Sequence, residues 1–154
     1  MVKMGSLTDE EQDRLQQIMT QLNNYQAAVE SLRQHISVIT SSLTELSMTI
    51  GAIKTLKDLK PDTDILVPIG SDSFISAKTA DSNKVLTGLG ADVMAERTAG
   101  DATKLLESRT SELEQAARQA REELGRLEER IEALRPEAEK ILKKAKESEQ
   151  EGQP

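Results

Sequence analysis

Few residues in this chain could carry chemistry, and none stands in the pattern that chemistry requires. Gly88-Leu89-Gly90 offers two glycines of a phosphate-cradling turn, but Val93 occupies the place where the dinucleotide fingerprint puts its third. No Gly-Lys-Ser/Thr sequence is present to hold a triphosphate. His35 is the only histidine; it flanks a helical seam and reads as a solvated or interhelical polar contact, with no serine-histidine or metal-ligand constellation to be built around it. Asp62, Asp64, Asp72, Asp81 and Asp92 do not follow the spacing of a calcium loop and read as turn and strand-end residues. With no cysteine, the chain has no disulfide, no thiol nucleophile and no cysteine-ligated zinc. These residues predict a non-enzyme with no cofactor and no metal.

The elements that would have to position any site are unusual for a chain of 154 residues. There is one Tyr, one Phe and no Trp, whereas 31% of residues are charged and 36% hydrophobic. A compact globule of this size buries several aromatics, while long helices carry a narrow apolar stripe between wet faces. The net charge of −7 opposes binding to a nucleic-acid backbone, which needs clustered Lys and Arg. Met1 to Ser6 lacks the apolar run of a secretory signal, and no run approaches the ~20 consecutive apolar residues of a membrane span. The expected location is the cytoplasm, with no membrane partner.

Two seams supply the stripe. Leu15, Ile18, Leu22, Tyr25, Val29, Leu32, Ile36, Ile39, Leu43, Leu46, Ile50 and Ile53 alternate steps of three and four, the signature of a coiled coil. Leu106, Leu113, Ala117, Ala120, Leu124, Leu127, Ile131, Leu134, Ala138, Ile141 and Ala145 repeat it, broken only by Thr110. The fold class is therefore mainly α, a long antiparallel coiled-coil hairpin with two β-hairpins at the connecting end. The chain reads as one domain. Helix 1 is expected over about 8–60, opened by a Thr8/Glu11 capping box and closed by Lys54, Lys57, Lys60 and Pro61. Helix 2 is expected over about 101–149, with Asp101 at its positive end, a bend or loosening at Pro136 and a flexible tail over 150–154.

The head, about 64–98, reads as strands over 65–68, 74–79, 84–89 and 93–98. Their turns fall at Gly70-Ser71-Asp72 and Gly90-Ala91-Asp92, residue types that tolerate turn geometry. Four short strands are marginal without something to pack on, so Ile65, Val67, Phe74, Ile75, Val85, Leu86, Leu89, Val93 and Met94 are expected to mediate subunit assembly. At the other end of the helices, Met1, Val2, Met4, Leu7, Leu15, Ile18, Met19, Leu134, Ile141 and Leu142 are apolar. One reading is ordinary coiled-coil packing. The other is a frayed tip whose methionines favour promiscuous binding; Met4, Leu7, Leu15, Ile18, Met19, Leu134, Ile141 and Leu142 are its client-binding candidates.

Leu66-Val67-Pro68-Ile69-Gly70, Phe74-Ile75-Ser76-Ala77-Lys78, Lys84-Val85-Leu86-Thr87-Gly88-Leu89-Gly90 and Glu96-Arg97-Thr98, with Gln21-Leu22-Asn23-Asn24-Tyr25 in the first helix, resemble the successive segments of the prefoldin alpha-class subunit. Asp92-Val93-Met94-Ala95 departs from that pattern, where many relatives carry aromatics. The resemblance implies an ATP-independent holding chaperone, a hetero-hexamer of two alpha-class and four beta-class subunits. It implies that unfolded clients are held between coiled-coil tips and passed to a group II chaperonin. A tethering coiled coil without chaperone function and a filament-forming prefoldin-like homopolymer are the competing readings.

Overall fold

The computed structural model describes residues 7–152. Helix α1 spans Asp9–Leu56 (48 residues), strands β1 to β4 span Asp64–Gly70, Ser73–Lys78, Lys84–Gly90 and Val93–Thr98, and helix α2 spans Ala99–Glu151 (53 residues). Two compact units divide the chain: Met1–Val38 with Ala117–Pro154, and Ile39–Ala116.

In the first unit the start of α1 runs antiparallel to the end of α2. Val29 packs with Leu127 and Ile131, flanked by Leu22, Tyr25, Leu32 and Leu124. Leu7, Leu15 and Ile18 pack with Ala138 and Ala145, flanked by Leu22, Leu134 and Ile141. The small seam residues Ala117 and Ala120 are buried. The three-four spacing thus turns inward wherever these two segments meet. Arg130 lies over the Tyr25 ring, 5.9 Å from its centroid, a cation–π contact across the pair.

The capping box forms: the Thr8 amide donates to Glu11 at 3.0 Å and the Glu11 amide donates to Thr8 Oγ1 at 3.2 Å. Asp9, Glu10 and Glu11 lie in the first turn, where the helix dipole favours anions. Pro136 sits inside α2 and leaves that helix one backbone bond short.

In the second unit Ile53, Ala99, Ala102 and Leu106 form the core, with Leu46, Ile50 and Val85 against it. Helix α1 stops four residues before Lys60, because the chain turns at once: the Leu59 amide donates to the Leu56 carbonyl. The carbonyls of the turn that follows are taken by hydroxyls from further along the chain. Ser82 donates to Leu59 O at 2.6 Å, and Thr79 and Thr63 both donate to Lys60 O. Helix α2 begins before Asp101, since the Thr98 hydroxyl accepts the Asp101 amide at 3.1 Å and acts as the N-cap. It reaches Glu151, so Gln150 and Glu151 of the expected tail are helical, and Gln153 and Pro154 lie outside the described residues.

The strands make two separate antiparallel hairpins, β1 with β2 and β3 with β4. Val67 faces Ile75 and Pro68 faces Phe74 in the first, while Thr87 faces Ala95 and Gly88 faces Met94 in the second. Each turn has two left-handed residues, Ser71-Asp72 and Ala91-Asp92, after a glycine at φ 110° or 96°, the primed two-residue turn that suits strand twist. Each hairpin also carries a bulge just before its turn, at 68–70 and 88–90.

Candidate functional site

At the end of the pair where α1 starts and α2 stops, the sequence allows either ordinary coiled-coil packing or a frayed apolar tip. Much of this apolar surface is closed in the structure. Ile18 is fully buried and Leu7 and Leu15 are buried with it, while Leu134 and Ile141 are half-buried. Met19 (48% exposed) and Leu142 (38%) are the ones that stay out, beside the cluster rather than in it. Met1, Val2 and Met4 lie outside the described residues. Burial here follows from the pairing: Ala138 and Ala145 are small enough for α1 to come down on them.

Two cross-helix ion pairs flank the closed cluster. Arg14 forks onto Glu137, Nε to Oε1 at 2.7 Å and Nη2 to Oε2 at 2.8 Å, the bidentate geometry that suits guanidinium and carboxylate. Lys144 pairs with Glu11. The bond from Arg14 holds the Glu137 carboxyl below its ordinary range and raises Arg14 in turn. Glu11 is likewise lowered, by Lys144 first and then by the Thr8 amide. Gln12 donates from its side chain to the Leu7 carbonyl at 3.4 Å, which ties the residue before the helix back onto its first turn.

The second surface is the hairpins. Most of the exposed large apolar side chains among the described residues lie in the four strands: Leu66, Val67, Ile69, Phe74, Ile75, Leu86, Leu89, Val93 and Met94. Of the strand residues expected to mediate assembly, only Ile65 and Val85 are half-buried, Val85 against the Ile53 core. Leu66 and Ile69 were missed, because the expected strand stopped at Pro68 and the residues chosen from it followed one face. Thr87 is buried, accepts from Arg97 Nε at 3.0 Å and donates to Ala95 O at 3.4 Å, so the polar members of the second hairpin satisfy one another. A groove of about 420 Å³ lies between the end of α1 and the hairpins, lined by Ile53, Leu56, Ile65, Val85 and Leu86 among others. Thr79, Ser82 and Lys84 also line it, with the two hydroxyls donated to the Lys60 and Leu59 carbonyls.

Among the described residues no group of three or more His, Asp or Glu could hold a metal ion. Helix α1 is long enough and, in one window of mean hydropathy 1.4, apolar enough to cross a membrane by length and composition. A count of consecutive apolar residues passes over this stretch because Ser and Thr interrupt it. Within this helix Ile39 and Ile53 are buried seam residues, while Val38 and Met48 are exposed.

The family model for prefoldin subunits matches residues 25–144, most of both helices and all of the hairpins. The chain belongs to the prefoldin family. Prefoldin subunit alpha of Methanopyrus kandleri is 33% identical over 113 residues, covering 73% of this chain and 72% of that protein. Prefoldin subunit alpha of Methanoculleus marisnigri is 36% identical over 106 residues, covering 68% and 69%. A chain of the filamentous prefoldin from Methanocaldococcus jannaschii, solved by cryo-electron microscopy, superposes with a TM-score of 0.66 at 26% identity, covering 77% of this chain and 98% of that one. Within the prefoldin family this chain is an alpha-class subunit. Prefoldin is a chaperone family whose subunits work in oligomers with one another, so this prefoldin is a chaperone subunit rather than one of a family of enzymes.

Proposed function

We propose that the chain is an ATP-independent holding subunit that binds non-native proteins at its helix ends and passes them to a group II chaperonin. Two copies would combine through the hairpins with four beta-class subunits, in the cytoplasm. The observation that carries this reading is the apolar surface left uncovered on the strands, with a second apolar cluster at the helix ends. A sheet of two strands is marginal alone, and apolar strand faces with open edges call for other subunits. Several weak contacts to one unfolded chain then add up as avidity. The client-binding residues are Leu7, Leu15, Ile18, Met19, Leu134, Ile141 and Leu142, with Met4. The assembly residues are Ile65, Val67, Phe74, Ile75, Val85, Leu86, Leu89, Val93 and Met94, joined by Leu66 and Ile69.

The test is trimming to 15–134 within the assembled oligomer. Assembly is expected to persist while suppression of client aggregation is lost; a trimmed complex that protects as well as the full one overturns the reading. The likeness to a filamentous prefoldin favours a second reading, a homopolymer built through the same strands. Native mass of the chain alone, then with a beta-class subunit, separates the two. A two-plus-four species supports the first, and a self-made ladder supports the second.

A further inference from the structure

The end of α2 carries three features that belong together. Pro136 interrupts the backbone ladder. Glu137, the next residue, is forked by Arg14, and one turn pair further on Lys144 is held by Glu11. Between and beyond them the face that α2 turns to Leu7, Leu15 and Ile18 is built from Ala138 and Ala145, with only Ile141 as a larger side chain. Further back, at Val29, the same helix offers Leu127 and Ile131. Apolar stabilisation scales with area removed from water, so an alanine face grips less than a leucine-isoleucine face. Past the proline, closure therefore leans on ion pairs more than it does around Val29, where Leu127 and Ile131 fill the seam.

We propose that residues 137–151 of α2 form a flap hinged at Pro136, latched shut by Arg14–Glu137 and Glu11–Lys144, and that its release uncovers the apolar cluster at the helix end. The functional half of this inference rests on the client-binding reading above. Leu15 and Ile18 are inaccessible in the closed state, so capture through them requires opening, while exposed Met19 and Leu142 make first contact. An unfolded segment then replaces the alanine face with larger side chains, which favours the open state by differential binding. The latch sets how much of the protein is open before a client arrives.

Hydrogen exchange on the full chain in its assembled form tests the flap without a client. Amides of 138–151 are expected to exchange at least tenfold faster than those of 124–135, with a step at Pro136 rather than a gradual rise toward the terminus. Arg14→Glu is expected to speed 138–151 about threefold, the scale of one good exposed ion pair, and the double variant Arg14→Glu/Glu137→Arg to restore the original rate. Uniform protection across Pro136, or no response to Arg14→Glu, overturns the proposal. Aggregation suppression on the same variants gives the functional readout: Arg14→Glu should capture client faster and the charge swap should return to the starting rate. If none of the variants binds client but the exchange step and its charge dependence stand, the client-binding reading has failed and the flap has not.

Discussion

Gly70 and Gly90 occupy the same place in two hairpins of one construction, twenty positions apart in sequence. Each is the positive-φ residue after a bulge and before two left-handed turn residues, Ser71-Asp72 and Ala91-Asp92. A β-carbon at either meets no neighbour, yet the backbone conformation is one that side chains rarely adopt. Gly88, by contrast, has an ordinary φ, and a β-carbon there would sit 3.7 Å from Met94 Sδ.

The first prediction is a contrast between these glycines. Gly70→Ala and Gly90→Ala should each cost about 1 kcal/mol, lowering the melting temperature of the assembled form. Gly88→Ala should stay within about 0.5 kcal/mol. Equal melting temperatures for Gly88→Ala and Gly90→Ala would contradict the turn assignment.

Assembly can be attacked without damaging the helices. Val67 and Leu86 are exposed, so Val67→Asp and Leu86→Asp place a charge where only a partner would desolvate it, at several kcal/mol if uncompensated. The native mass should collapse to small species while far-ultraviolet circular dichroism keeps its helical signal. Val85→Asp is the comparison: Val85 packs on the Ile53 core, so it should lower thermal stability as well. An unchanged mass for the first two would remove the strands from assembly.

At the helix ends, buried and exposed members should separate. Ile18→Ala removes a fully buried side chain and is expected to cost about 2–4 kcal/mol, read as faster exchange over the first turns of α1. Met19→Ser and Leu142→Ser touch exposed positions and should leave stability within about 0.5 kcal/mol while reducing aggregation suppression. Full protection by the double Met19→Ser/Leu142→Ser variant would take these two residues out of client contact.

The latch carboxylates fix a pH response. Glu137 is lowered by Arg14, and Glu11 by Lys144 and the Thr8 amide, from an ordinary value of 4.5. A carboxyl lowered in the folded state adds stability that is fully present above its unfolded pKa and is lost as pH falls through the folded one. The contribution is therefore intact near neutral pH and fades below 4.5. Glu137→Gln should melt below the unaltered chain near neutral pH, with the gap shrinking once the pH falls under that value. A gap independent of pH would mean that the charge on Glu137 contributes nothing.

Much of the architecture was legible because its signals are local. The three-four spacing named the seams, and Thr8 with Glu11 formed the capping box that their types and separation imply. The primed turns follow from Gly, Ser, Asp and Ala in short runs. What escaped depends on groups distant in sequence. Helix α1 ends at Leu56 instead of near Lys60 because the Leu59 amide takes the Leu56 carbonyl in a tighter turn, and Ser82, Thr79 and Thr63 then hold the Leu59 and Lys60 carbonyls out of the ladder. Thr98 ends β4 and caps α2 at once, and a strand residue is not where a cap is sought. At the helix end, packing and a frayed tip both stayed open, because whether Leu7 and Ile18 are covered is decided by Ala138 and Ala145, more than a hundred residues away.

The order of the elements has a consequence during synthesis. Each hairpin closes on neighbours within one short loop and can form in about 1–10 μs, as soon as Thr98 is free of the ribosome. The seam of α1 has no such nearby mate; its complement lies on the 53 residues of α2, made after the hairpins. At ~5–20 residues per second, the 95 residues from Leu56 to the end of α2 at Glu151 take about 5–19 s, during which part of the apolar stripe of α1 stays unpaired. A chaperone subunit thus passes, at its own birth, through a state with an unpaired apolar stripe of its own.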